Sequence, residues 1–217
     1  MMKRLILAIL LITLLPVFAF SQIMIGPKFG LNMSTQFESD YSVPKFGIAF
    51  GGALDIPIKS GFGVQGEFLV TQKGYREEYK GQEIFDELTA TYLEIPAMAK
   101  YTITGVNWGY FFQGGVYWGY WSSGKFESST DGNNTINEDY EFQNEFDQDG
   151  FKDNRSDFGI IAEAGVTYDN FGSGVLALGL RYSHGLTATN SYQTAPADVV
   201  YNTNKVFTLS FIYFLYL

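Results

Sequence analysis

The stretch Ile25-Gly26-Pro27-Lys28-Phe29-Gly30-Leu31-Asn32-Met33-Ser34 places one kind of side chain at odd positions and another at even ones. In an extended chain, Ile25, Pro27, Phe29, Leu31 and Met33 share one face, and Gly26, Lys28, Gly30, Asn32 and Ser34 share the other. Seven further stretches repeat this alternation: 45–56, 62–73, 92–101, 108–121, 157–168, 175–185 and 206–217. Each is about ten residues or more, the length a tilted strand needs to cross a bilayer. The links between them alternate. Residues 35–44, 74–90, 122–156 and 187–204 are long and polar, whereas 57–61, 102–107 and 169–174 are short. An even number of strands with long loops on one side and tight turns on the other is the arrangement of a bacterial transmembrane barrel.

Alternation also occurs in soluble sandwiches, so the identity of each face decides the matter. Lys28, Lys45, Asp55, Glu67, Lys73, Glu94, Lys100, Glu163 and Arg181 all lie on the glycine-rich face, while the other face is apolar or aromatic. With the apolar face inside, roughly forty large side chains would crowd an interior that eight strands cannot make wide enough. With that face outward, it meets lipid. The lumen then holds small residues and a network of Lys28, Lys45, Glu67, Glu94, Lys100, Glu163 and Arg181, with Asp55 and Lys73. Four acids against five bases allow the pairing that buried charge requires. Trp108, Trp118, Tyr120, Tyr168, Tyr182 and Tyr213 lie near strand ends, where an aromatic girdle belongs. The expected fold is all-β: an eight-stranded antiparallel up-and-down transmembrane β-barrel, closed because lipid tolerates no open sheet edge. Pro27 and Pro96 each remove a ladder donor. Pro27 sits near a strand start, but Pro96 is mid-strand and requires a bulge or a gap.

Residues 1–21 read as a cleaved secretory leader. Lys3 and Arg4 precede an apolar run to Phe18, and Ala19 and Ser21 supply the small residues of a cleavage site before Gln22. Residues 22–217 form the barrel domain. Losing Lys3 and Arg4 with the leader reduces 14 basic residues to 12 against 23 acidic ones. That balance excludes nucleic acid as a partner, because its affinity rests on neutralised phosphates. The chain has no cysteine, so disulfides and thiolate metal sites are excluded.

Several segments together resemble the PorT-like outer membrane β-barrel proteins of Bacteroidetes-type bacteria. These are 26–32 (GPKFGLN), 63–75 (GVQGEFLVTQKGY), 92–96 (YLEIP) and 180–186 (LRYSHGL). The resemblance implies an eight-stranded barrel in the outer membrane and makes Pro96 part of the pattern. The alternation of Tyr213, Leu215 and Leu217 resembles the C-terminal signal of such barrels, although the final Leu217 departs from the usual aromatic.

Function is less legible. Eight strands leave an interior that side chains fill, so a polar plug is expected rather than an open pore. His184 is the only histidine, and its neighbour Ser183 must point to the opposite face. No nucleophile–base pair follows, and the chain reads as non-enzymatic with no cofactor. In the long loop, Glu145, Asp147, Asp149 and Asp153 resemble the start of a calcium loop, but position twelve is Ser156 rather than Glu. A solvated acidic loop is the alternative. Residues 122–155 carry nine acids and three bases together with Phe126, Tyr140, Phe142, Phe146 and Phe151. Such a loop on a rigid barrel suits recognition of a protein or glycan partner; self-packing or a hairpin extension suits it too. The expected protein is structural or adhesive, sits in outer-membrane lipid and recognises partners through its outer loops. The alternatives are a component of envelope or secretion assembly, or a membrane-embedded enzyme.

Overall fold

A computed structural model describes residues 23–36, 41–79, 84–130, 134–146, 150–192 and 202–217. The leader, 1–21, lies outside them. Eight long strands run β1 (Met24–Thr35), β2 (Lys45–Lys59), β3 (Phe62–Tyr79), β4 (Ile84–Thr104), β5 (Trp108–Ser129), β6 (Ser156–Phe171), β7 (Gly174–Gly185) and β8 (Lys205–Tyr216). Each pairs antiparallel with its sequence neighbours, and β1 pairs with β8, so the sheet closes on itself. The main chain of Leu217 donates to that of Ile23 and brings both described ends to the end with the short turns. One of those turns, Ser60–Gly61, has φ of 55° and 84°. These are the left-handed conformations of a two-residue hairpin turn, which Gly61 adopts without steric cost.

The barrel is inverted relative to a soluble protein. Phe29, Phe50, Leu93 and Leu209 are 44%, 51%, 36% and 40% exposed, whereas Lys28 and Glu94 are 3% and 7%. The apolar residues form an outward belt. At its inner margin Phe62 packs on Tyr101, Trp108 on Tyr168 and Phe171 on Tyr213, with ring centroids 4.8, 4.7 and 5.9 Å apart. Amphipathic rings favour that interface.

Both prolines sit at gaps in the ladder rather than at bulges. On the β8 side of β1, pairing skips from Ile25↔Leu215 to Lys28↔Ile212. On the β3 side of β4, it skips from Gly66↔Ala97 to Leu69↔Glu94 with register unchanged. Pro27 and Pro96 remain paired on their other sides, with Gly52 and Tyr117.

The strands differ in length from those the alternation predicts. Much of 74–90 and the start of 122–156 are strand, because β3, β4 and β5 continue beyond the belt. Above the membrane both faces of a sheet meet water. Apolar alternation therefore disappears while hydrogen-bond pairing continues. The change is local: φ is 141° at Gly74, and register shifts between Thr91 and Tyr92. The extension gains a further strand, Thr135–Asp139, which pairs with β5. Short strands Ser42–Val43, Phe151–Asp153 and Asn190–Tyr192 order the loops on the same side.

Candidate functional site: the lumen and its outer cap

Inward-facing positions of the eight strands build the lumen in tiers. The charged positions named from sequence all lie on this inner face or at its outer mouth, and all are buried. At the inner end Lys100 pairs with Asp55, reaches Gln65 Oε1 at 3.3 Å and lies over the rings of Phe111 and Phe214. Around this pair Ala53, Val175, Ala177 and Ile212 form an apolar cluster with the two rings. A cavity of about 590 Å³ opens at this mouth and ends on the Lys100–Asp55 pair.

The central tier is an ion cluster. Arg181 donates from Nη1 and Nη2 to the two oxygens of Glu67 at 2.8 and 2.7 Å, and from Nε to Glu163 at 2.7 Å. Lys28 lies 2.9 Å from Glu67 and 3.6 Å from Glu163. Gln65 donates to Glu67, while Gln113 and Ser210 donate to Glu163. Two cations and two anions are thus neutral together and saturated with hydrogen bonds, the condition under which buried charge is tolerated. The outer tier centres on Lys73, which pairs with Glu94 and lies 3.0 Å from Asp157. Tyr117 and Asn204 also donate to Asp157 Oδ2, and Asn204 reaches the Tyr92 hydroxyl.

An aromatic cap lies over this tier. The Trp121 ring centroid is 5.0 Å from those of Tyr140 and Phe142 and 6.0 Å from that of Tyr92, and Leu88, Ala90, Tyr75 and Phe126 complete the cluster. Arg155 donates to the carbonyls of Trp121 and Ser122 and stacks on Tyr120 and Phe142. Tyr140, Phe142 and Phe126 therefore pack on the barrel mouth, while Phe146 stays exposed beside Lys152. Beside the cap, Lys45 and Arg76 converge on Glu87 at 2.7 and 2.8 Å. Burial pushes the Glu87 carboxyl up, but those two donors outweigh it and hold the group below the usual carboxylate range. Burial, reinforced by the Asp153 carboxylate, raises the Tyr140 hydroxyl.

Of the candidate calcium ligands, Asp147 and Asp149 lie outside the described residues. Both Asp153 oxygens already accept hydrogen bonds, from Tyr140 and from the main chain of Gln143, and Glu145 is exposed. Ser183 points inward, and His184 Nδ1 lies 3.1 Å from the Tyr182 hydroxyl. The network named from sequence omits Asp157, Asn204 and Tyr117. Asp157 lies on the glycine-rich face of its strand, which is the signal that reveals it. Asn204 precedes a strand inside a polar loop and gives no such signal.

Residues 18–191 match the model of a family described as outer membrane protein beta-barrel domain. No curated protein matches the sequence. The chain is similar in structure to Neisserial surface protein A, at 15% identity over 91% of this chain and 98% of that one, with a TM-score of 0.48. It is similar to the attachment invasion locus protein Ail of Yersinia pestis in complex with the heparin analogue sucrose octasulfate, at 12% identity over 90% and 99%, TM-score 0.43. It is also similar to OprG of Pseudomonas aeruginosa, at 11% identity over 90% and 96%, TM-score 0.43.

Proposed function

We propose, for a chain that belongs to the outer membrane protein beta-barrel domain family and resides in the outer membrane, a non-enzymatic adhesive or structural role exercised from the outer surface. One observation carries this reading. The lumen is filled by ion-paired tiers under an aromatic cap, while β3, β4 and β5 rise beyond the belt into a sheet ending in Thr135–Asp139. All five residues of that strand are exposed, and β5 is its pairing partner among the described residues. An outer strand of this kind offers main-chain groups to an extended segment of another chain. Its surroundings are acidic: Glu138, Asp139, Glu141 and Glu145 are exposed. Such a surface favours a protein, or an uncharged glycan, over a polyanion. Within the family, the segments 26–32, 63–75, 92–96 and 180–186 support the finer PorT-like assignment. Export by a leader cleaved after Ser21 completes the reading.

The test compares cells carrying the wild type with cells carrying Ile136→Pro, in which the outer strand is interrupted, for adhesion to immobilised proteins and to heparin. Adhesion to protein that the variant loses, with none to heparin, supports the reading. Adhesion that ignores the variant, or a steady ion current across planar bilayers holding the purified barrel, contradicts it.

A further inference from the structure

The outer tier of the lumen is not neutral. Among the described residues Lys73 is its single cation, and it faces two carboxylates, Glu94 and Asp157, which lie in register on either side of Gly119. The central tier below balances two cations against two anions. Above, Lys45 and Arg76 are paired with Glu87 and Glu78. Arg155 is held by two carbonyls and two rings rather than by either carboxylate. The described inward residues that complete the wall, Tyr117, Asn32 and Asn204, carry no charge.

The donors around Asp157 are also lopsided. Lys73, Tyr117 and Asn204 all converge on Oδ2, at 3.0, 3.1 and 2.9 Å. Oδ1 is buried without a hydrogen-bond partner among the described residues, on a residue that is 3% exposed. Beside it the chain carries Gly185. A Cβ placed there would lie 3.0 Å from Oδ1 and 3.1 Å from both the main-chain nitrogen and the carbonyl oxygen of Asn204, and that carbonyl accepts the Gly185 N–H at 2.7 Å while keeping a second lone pair. One buried negative charge in excess is strongly unfavourable unless compensated. The bare oxygen and the adjoining carbonyl are the ligand types that small hard cations take.

We propose that the outer tier holds one monovalent cation, sodium or potassium, bound at Asp157 Oδ1 beside Gly185, where a Cβ would crowd that oxygen. A single charge restores neutrality. A divalent ion would overshoot it, and among the described residues no cluster of three or more acids or histidines exists to hold one. Gly185→Ala adds that Cβ, and Asp157→Asn removes the excess charge while keeping the side-chain shape.

Thallium(I) soaked into crystals of the full-length barrel is the direct probe. An anomalous peak beside Asp157 Oδ1 is expected, and a lumen without one overturns the proposal. In solution, the unfolding midpoint on heat-modifiable gels is read in sodium or potassium chloride against N-methylglucamine chloride, at equal ionic strength and pH. The midpoint should rise with the small cation's concentration, as for any ligand of the folded state, and the rise should vanish in Asp157→Asn and Gly185→Ala. Midpoints that ignore the cation and move with pH alone would show that a proton supplies the charge, and would overturn it as well. The thallium experiment needs only the wild type, so a variant that fails to fold leaves the test intact.

Discussion

Replacing Arg181 with methionine tests the central tier. Arg181 supplies four hydrogen bonds of 2.5–2.8 Å to Glu67 and Glu163, and all three side chains are 4% exposed or less. Without it, two carboxylates share Lys28, and one negative charge is stranded. Breaking a buried pair from one side costs about 3–5 kcal/mol, mostly because of the orphaned partner. Adding Glu163→Gln returns the tier to one cation and one anion, and the amide so introduced keeps a carbonyl oxygen for the Gln113 amide while its NH2 takes the other oxygen's place and can donate to the Ser210 hydroxyl. The double variant should therefore be more stable than the sum of the single losses predicts, by roughly 0.5–3 kcal/mol. The assay is equilibrium urea unfolding in lipid vesicles, followed by tryptophan fluorescence. A loss of about 1 kcal/mol or less for Arg181→Met, the worth of a solvated ion pair, refutes the reasoning. Strict additivity of the two substitutions does so too.

Other expectations concern the belt, the cap and the outer extension. Leu209→Arg puts a charge into the lipid-facing band and should cost about 2–4 kcal/mol if the site lies near the bilayer midplane; the same urea titration measures it. Trp121→Ala empties the centre of the cap, at about 3–5 kcal/mol if the site does not collapse. It should still yield no channel in planar bilayers, because the ion-paired tiers below remain. Glu87 has its folded-state carboxyl held below the unfolded value of about 4.5 by Lys45 and Arg76. The stability it contributes is therefore present above that value and lost as pH falls through the lower folded value. Glu87→Gln should flatten this acid limb of a stability–pH profile, and an unchanged limb would remove Glu87 from the account.

How much was legible depended on which solvent each residue meets. Phe29, Phe50 and Leu209 alternate with Lys28, Gly51 and Thr208 because lipid lies on one side and a narrow polar lumen on the other. That contrast reveals both strand and face from sequence alone. It ends near Gly74 and Thr91, where the sheet leaves the bilayer, so the outer parts of β3, β4 and β5 read as loop although their pairing continues. The charged lumen positions could be named because a lipid-facing strand can place charge only on its small-residue, lumen side. Their partners could not, since Arg181 meets Glu67 across 114 residues of chain. The aromatic loop residues were ambiguous because Tyr140 and Phe142 pack on Trp121 through tertiary contact with no local period.

Everything rests on which face meets lipid, and β5 offers the most direct measurement because the chain has no native cysteine. Nitroxide labels placed singly at 110–119 in lipid-reconstituted protein report access to oxygen dissolved in the bilayer. The account predicts high access at 110, 112, 116 and 118 and low access at 111, 113, 117 and 119. High access at 111, 113, 117 and 119, or no period of two, would contradict it.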